Sequence, residues 1–310
     1  MKPFRNQREN AFREERAGKT PRFSSALELL QQRARRDGGF SNLEGGEYRT
    51  DATAWAILAL NAAGVKPDWI ERARARLAIS QQSDGRVCIS TDHLEAFWPT
   101  PLAVLAWHGS PAYREPQSRA VHFLLATTGR HWVKGSDSPL AHDPSVQGWP
   151  WIAETHSMVE PTSLCLLALR VAGQGRHERA REAVRMLMDR QIPKGGWNYG
   201  NTAVYGQELH PQFENTGLAL NALAGHAPRE IVRPSLDYLG SSIQRLRTPL
   251  SLGWGLLGLG AWGNRPVQAR TWVVESLKRQ EKHGPYDTTL LSLLILAFLA
   301  RGGLAEMFAN

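Results

Sequence analysis

Six stretches of the chain repeat one pattern, and a sixfold repeat leaves few folds open. The segments YRTDATAWAILALNAAG (48–64), VEPTSLCLLALRVAG (159–173), FENTGLALNALAG (213–225) and YDTTLLSLLILAFLA (286–300) each open with an acidic residue, one further position and a Thr. A helical run rich in Leu and Ala follows. FWPTPLAVLAWHG (97–109) keeps the Thr and carries Trp98 where the acid stands elsewhere, and TPLSLGWGLLGLGAWG (248–263) is the most altered copy. Glycine turns precede several copies: QIPKGGW (191–197), QEKHGPY (280–286) and QQSDGRV (81–87), with DGGF (37–40) and QGWPW (147–151) as looser relatives. Ahead of these turns lie Arg-rich amphipathic stretches such as DWIERARARLAIS (68–80) and RHERAREAVRMLMD (176–189).

One unit therefore reads as an outer amphipathic helix, a Gly/aromatic turn and a nearly all-apolar inner helix. A helix apolar on every side must be enclosed. About six such units predict an all-α, (α/α)6 toroid, a closed double ring of inner and outer helices. Residues 23–310 are assigned to this single domain, and residues 1–22 to a basic, flexible N-terminal arm.

Composition excludes other classes. A chain of 310 residues that is 42% hydrophobic has the apolar content for a core. Two cysteines, Cys88 and Cys165, cannot build a disulfide framework. The charged N-terminus lacks the apolar core of an export signal, so a cytoplasmic location is expected. The apolar run from Leu293 to Ala300 is far short of the roughly 20 residues that span a bilayer. Of the net charge of +8, six units come from residues 1–36, which hold ten Lys/Arg against four Glu. The ring itself is thus close to neutral, and no nucleic-acid partner is expected. The arm is expected to reach an anionic membrane surface peripherally.

The Q-x3-G-x-W element at Gln191–Trp197, with its Tyr and Val variants, resembles the repeat of squalene-hopene and oxidosqualene cyclases. The whole arrangement, over about residues 25–305, resembles the prenyltransferase and squalene-cyclase repeat superfamily, whose fold is an (α/α)6 toroid. That superfamily includes class II terpene cyclases, which share a D-x-D-D-T-A motif whose middle Asp donates a proton. RTDATA (49–54) places Asp51 at that middle position, with Arg49 and Ala52 replacing its acidic neighbours. Full triterpene cyclases resemble two such domains in tandem, and this chain has room for one. The zinc site of protein prenyltransferases has no match: the nearest cluster, Cys88 with Asp92 and His93, lacks its spacing.

In a toroid all inner-helix N-termini open at one pole, which gathers Asp51, Glu160, Glu214 and Asp287 on one rim. His156, His210 and His283 each stand four residues before one of these acids. We take the four acids with His156 and His210 as catalytic candidates. Asp92, His93, Glu95, Trp98, Trp149, Trp151, Trp197, Tyr199 and His283 are the substrate-binding candidates. Each acid has a competing role, since a carboxylate opening a helix caps free N–H groups and complements the macrodipole. The turn aromatics compete likewise as plugs between repeats.

These residues, with the resemblance, imply a terpene-cyclase-like or isoprenoid-processing enzyme acting on an apolar or anionic small molecule in an aromatic-lined cavity. No cofactor is called for; a divalent metal at the His/carboxylate rim stays open as an alternative. Two other readings stand beside this one: a non-catalytic toroid binding a lipid, peptide or protein, and an enzyme using the same rim on a peptide or other small molecule.

Overall fold

The structure, a computed structural model, describes residues 21–65 and 67–309. The six apolar repeats are six inner helices: α2 (Thr50–Ala62), α4 (Thr100–Trp107), α6 (Val159–Val171), α8 (Phe213–Leu223), α10 (Pro249–Ala261) and α12 (Thr288–Leu299). The amphipathic stretches ahead of them are six outer helices: α1 (Pro21–Gln32), α3 (Pro67–Ile79), α5 (Arg114–Ala126), α7 (Glu178–Asp189), α9 (Arg229–Ser242) and α11 (Ala269–Lys278). Each inner helix packs on the next, and α12 packs on α2, so the inner ring is closed. Among the described residues strand is confined to two-residue antiparallel ladders, Phe40–Ser41 with Tyr48–Arg49 and Ala203–Val204 with Gln207–Glu208. The expected (α/α)6 toroid is the observed fold. Pro21 and Arg22, assigned to the arm on sequence, are the first residues of α1; residues 1–20 lie outside the described residues.

The repeat's Thr and glycine turn hold the units together. Thr53 Oγ1 accepts the Phe40 N–H, Thr100 that of Val87, Thr162 that of Trp149 and Thr216 that of Trp197, all at 2.8–3.0 Å. The turn residue is thereby pinned over the start of its inner helix. The turn glutamines reach the next outer helix: Gln81 Nε2 donates to the Pro116 carbonyl and Gln191 Nε2 to Ser235 Oγ. Gly85 and Gly195 have φ of 95° and 104°, and a Cβ there would lie 2.3 and 2.4 Å from the carbonyl oxygens of Arg119 and Pro234. Glycine is needed at these joints both for its backbone conformation and for the close approach. Thr162→Val orphans the buried Trp149 N–H, and chemical denaturation is expected to show a loss of about 1–3 kcal/mol.

One inner pair is closer than the rest. A Cβ on Gly217 of α8 would stand 2.4 Å from the Trp254 carbonyl of α10, and one on Gly258 would stand 2.3 Å from the Gly217 carbonyl. The glycines of the altered sixth repeat thus let two helix backbones touch.

At the C-terminal pole of the inner ring, a short 3-10 turn, Leu304–Phe308, lies against α6 and α10. The Leu304 N–H donates to Asn221 Oδ1 at 3.0 Å, and the Phe308 ring meets His108 edge-on at 5.7 Å. This turn covers that pole, while the helix N-termini gather at the other. Among the described residues no helix is long and apolar enough to cross a membrane.

Candidate active site

Three of the rim acids stand at the second residue of an inner helix. Asp51, Glu160 and Glu214 occupy that place in α2, α6 and α8, and none of these helices has a side-chain N-cap. Asp287 differs. It is the residue before α12 and caps it, its Oδ1 accepting the Leu290 N–H at 2.8 Å. The hydrogen bonds explain the shift. Thr50 and Thr288 both donate from Oγ1 to a turn carbonyl of the next repeat, Cys88 and Ser41, at 2.6 Å. The Val159 and Thr288 N–H groups likewise both donate to such turns, at Tyr199 and Asn42. Thr50, Val159 and Thr288 are therefore equivalent, and Asp287 corresponds to Arg49, not to Asp51.

The rim acids fall into two groups. On α2, Arg49 grips Asp51 with both ends of its guanidinium, Nε to Oδ1 at 2.9 Å and Nη2 to Oδ2 at 3.0 Å. The bond to Asp51 is the first cause of the rise in the Arg49 pKa, and the charges of Asp51 and Asp287 add to it. A carboxylate accepting on both oxygens is arranged as an anion.

On α6 and α8, neighbouring in the ring, Glu160 and Glu214 face each other's charge, and among the described residues no cation is hydrogen-bonded to either. Protein encloses the Glu160 carboxyl closely, and burial pushes its pKa up to about 8, with the negative charge of Glu214 adding to the effect. Glu160 still keeps some accessible surface, a combination that fits a group lining a concavity. Ser251 of α10 donates its hydroxyl to Glu214 Oε2 at 2.8 Å.

Two aromatic residues outside the expected set meet in the core of the ring, each 4% exposed. Trp55 of α2 and Trp254 of α10 meet edge to face, with centroids 5.7 Å apart. Their helices flank α12, which the ring order sets opposite α6. Both stand at the sixth position of their helix, about one turn below the rim acids. Equal register in two repeats is the sequence signal that marks them.

The other expected residues are dispersed. Trp149 and Trp197 are fully buried, their indole N–H groups donating to the Leu124 and Leu187 carbonyls of outer helices. They plug joints between repeats and offer a ligand no surface. Trp98 and Trp151 meet edge-on at 5.9 Å and stay partly open at the rim beside α4. Tyr199 is exposed next to the start of α6. His156, His210 and His283 are exposed, and no hydrogen bond or ion pair among the described residues joins them to the acids that follow. His156 leans instead on Trp132, centroids 4.9 Å apart. Asp92, His93 and Glu95 lie on an exposed turn, with His93 Nδ1 3.4 Å from Glu95 Oε1. Cys88 and Cys165 are free and buried, and burial raises both thiols, Cys88 to about 11. Among the described residues no group of three or more His, Cys, Asp or Glu could hold a metal ion.

No protein-family model matches the sequence, and no curated protein matches it either. Solved structures do match. A variant of the type II terpene cyclase MstE from Scytonema, in complex with its substrate geranylgeranyl dihydroxybenzoate, is 13% identical with a TM-score of 0.60, over 92% of this chain and 97% of that one. The ent-copalyl diphosphate synthase of Streptomyces platensis is 14% identical with a TM-score of 0.53, over 82% of this chain and 50% of its own. Haptocorrin in complex with Cbi is 12% identical with a TM-score of 0.52, over 92% of this chain and 67% of its own. The chain has a class II terpene cyclase-like α/α toroid fold.

Proposed function

We propose that the protein is an isoprenoid cyclase in which Glu160, not the motif-matched Asp51, supplies the initiating proton. The observation that carries this reading is the pair of adjacent rim carboxyls, Glu160 and Glu214, with Glu160 raised to about 8. An alkene is a weak base, so its proton donor must hold its proton at neutral pH in a site shielded from water. Asp51, gripped by Arg49, is unsuited to that step.

In the proposed step the Glu160 O–H bond breaks and its proton forms a C–H bond with one alkene carbon. The second carbon becomes a cation and is closed on by the next double bond of the chain, forming a ring C–C bond. Trp55 and Trp254, core residues about one turn below the rim, are the aromatic groups this reading assigns to stabilising the migrating positive charge through their ring quadrupoles. Loss of a proton from the final cation to water leaves the product an isomer of the substrate, and Glu160 regains its proton from solvent at the mouth. The structural match to a cyclase bound to a geranylgeranyl compound supports the substrate class.

Turnover in D2O with linear oligoprenyl alcohols, diphosphates and prenylated aromatic acids tests the reading. The expected product carries one carbon-bound deuterium at the initiating carbon, seen by mass spectrometry and NMR. A cyclised product without it removes protonation as the first step. Asp51→Asn is expected to keep most of the turnover that Glu160→Gln loses. A second reading, a binding toroid without chemistry, draws on the Arg49–Asp51 ion pair at the position of the cyclase acid. It predicts that none of these substrates is converted and that Glu160→Gln binds them as wild type does.

A further inference from the structure

The two long connections that precede α6 and α8, residues 127–158 and 190–212, line a half-open cavity of about 550 Å³ whose lining does not include Glu160 or Glu214. The connections are knitted to each other. The Ala141 N–H donates to the Ala203 carbonyl, and the Tyr205 N–H to that of Pro139. The Asp143 N–H donates to the Asp189 carboxylate, and Arg190 Nη2 to the Asp143 carbonyl. Long loops tied down in this way are seldom passive connectors.

The lining has a definite chemistry. Leu140, Val146 and Met158 give apolar walls, and Trp132, stacked obliquely on His156, gives a flat aromatic one. The charged and titratable groups lining the cavity are Arg130, Arg190, His142 and His156, with no carboxylate among them. Two of these are built in: Arg190 is 4% exposed and His142 6%. Among the described residues His142 Nδ1 has no hydrogen-bond partner. Among the described residues Arg190 gives one bond from each terminal nitrogen, to the Gly200 and Asp143 carbonyls, which leaves one N–H on each. Nearby acids temper the charge without removing the donors: Asp189 Oδ2 is 3.3 Å from Arg190 Nε, and Glu154 pairs with Arg130 at the exposed edge. Burial lowers the Arg190 pKa to about 10, so the guanidinium stays charged at neutral pH.

We propose that this cavity is a second ligand site, binding a flat organic anion with its phosphate or carboxylate head on Arg190 and His142 and its apolar body against Trp132. The volume suits a small organic molecule, and a buried guanidinium with free N–H groups is matched by an oxyanion. The site does not depend on the chemistry proposed for Glu160.

Calorimetric titration of the full chain with 1-naphthyl phosphate and with 1-naphthoate tests it, with uncharged 1-naphthol as the control. One saturable site is expected for at least one of the two anions, and the tighter one identifies the preferred head group. Val146→Trp, which fills the cavity, is expected to weaken binding at least tenfold, as is Arg190→Gln, while Glu160→Gln binds as wild type. Arg190 also ties the loops together, so Val146→Trp is the deciding variant, with its thermal unfolding checked in parallel. Absence of saturable binding by both anions, equal affinity for 1-naphthol, or binding unchanged by Val146→Trp would overturn the proposal.

Discussion

Glu160→Gln is expected to lower turnover by about 10²–10⁴-fold, the range for losing a positioned proton donor, and to make the folded protein more stable at alkaline pH. The two effects share a cause. The wild-type carboxyl has a folded-state pKa of about 8 against an ordinary value of 4.5, so the folded state holds a proton that the unfolded state has released across that interval. Wherever the folded state binds more protons, stability falls as pH rises. The full stability is therefore present below about pH 4.5, declines up to about pH 8 and stays low above it. Each unit of pH is worth up to about 1.4 kcal/mol. Water reaching the rim reduces the total, and we expect the Gln variant to exceed wild type by about 1–2 kcal/mol at pH 8.5 and to match it at pH 4. Denaturant midpoints across pH 4–9 measure this. Wild-type turnover is expected to fall as pH rises through about 8. An inactive variant with no alkaline gain would mean that Glu160 is ionised in the folded protein, and the acid would have to be sought elsewhere.

Gly217→Ala is the second large effect, and its sign is informative. Helix propensity alone favours Ala by about 1 kcal/mol in a helix interior. The new methyl would lie 2.4 Å from the Trp254 carbonyl, a backbone atom of a helix locked into the ring, so it has no flexible neighbour to displace. Separating α8 from α10 also moves Ser251 away from Glu214. We expect a net loss of at least about 2–3 kcal/mol, at the upper end of overpacking costs, together with reduced activity in the molecules that remain folded. Gly240, in the outer helix α9 with open space around it, is the control. Gly240→Ala should be neutral or slightly stabilising.

The ring was legible because its repeat is mechanical. The Thr at 53, 100, 162 and 216 recurs because each receives the same backbone N–H from the preceding turn. The site was legible only in part. Asp287 shares the acid-x-Thr spelling, but two consecutive threonines follow it, and hydrogen bonding selects Thr288 as the structural equivalent of Thr50. The place of Thr53 therefore falls on Leu291, and the spelling Asp287-x-Thr289 is two residues out of register, which a linear pattern does not reveal. Trp149 and Trp197 were identifiable as turn aromatics, but the direction of each ring is set by the carbonyl on an outer helix that its indole N–H reaches. Trp55 and Trp254 were hidden by uniformity: in a helix apolar on every side, only ring geometry tells which face looks inward. Ser251 was hidden because its repeat had lost the acid.

Closure of the ring has a further consequence for how the molecule forms. Thr288 donates to Ser41 across 247 residues, and the α2–α12 contact it accompanies completes the circle. Short-range pairing can assemble each helix with its sequence neighbours, but the seam depends on contacts between distant parts of the chain, which slow folding. Until the seam is made, the intermediate is an open arc with apolar helix faces bare at both ends, the kind of surface that self-associates. Such arcs would be met by other arcs before their own ends met. Refolding yield should therefore fall with protein concentration even though the finished ring has neither end exposed.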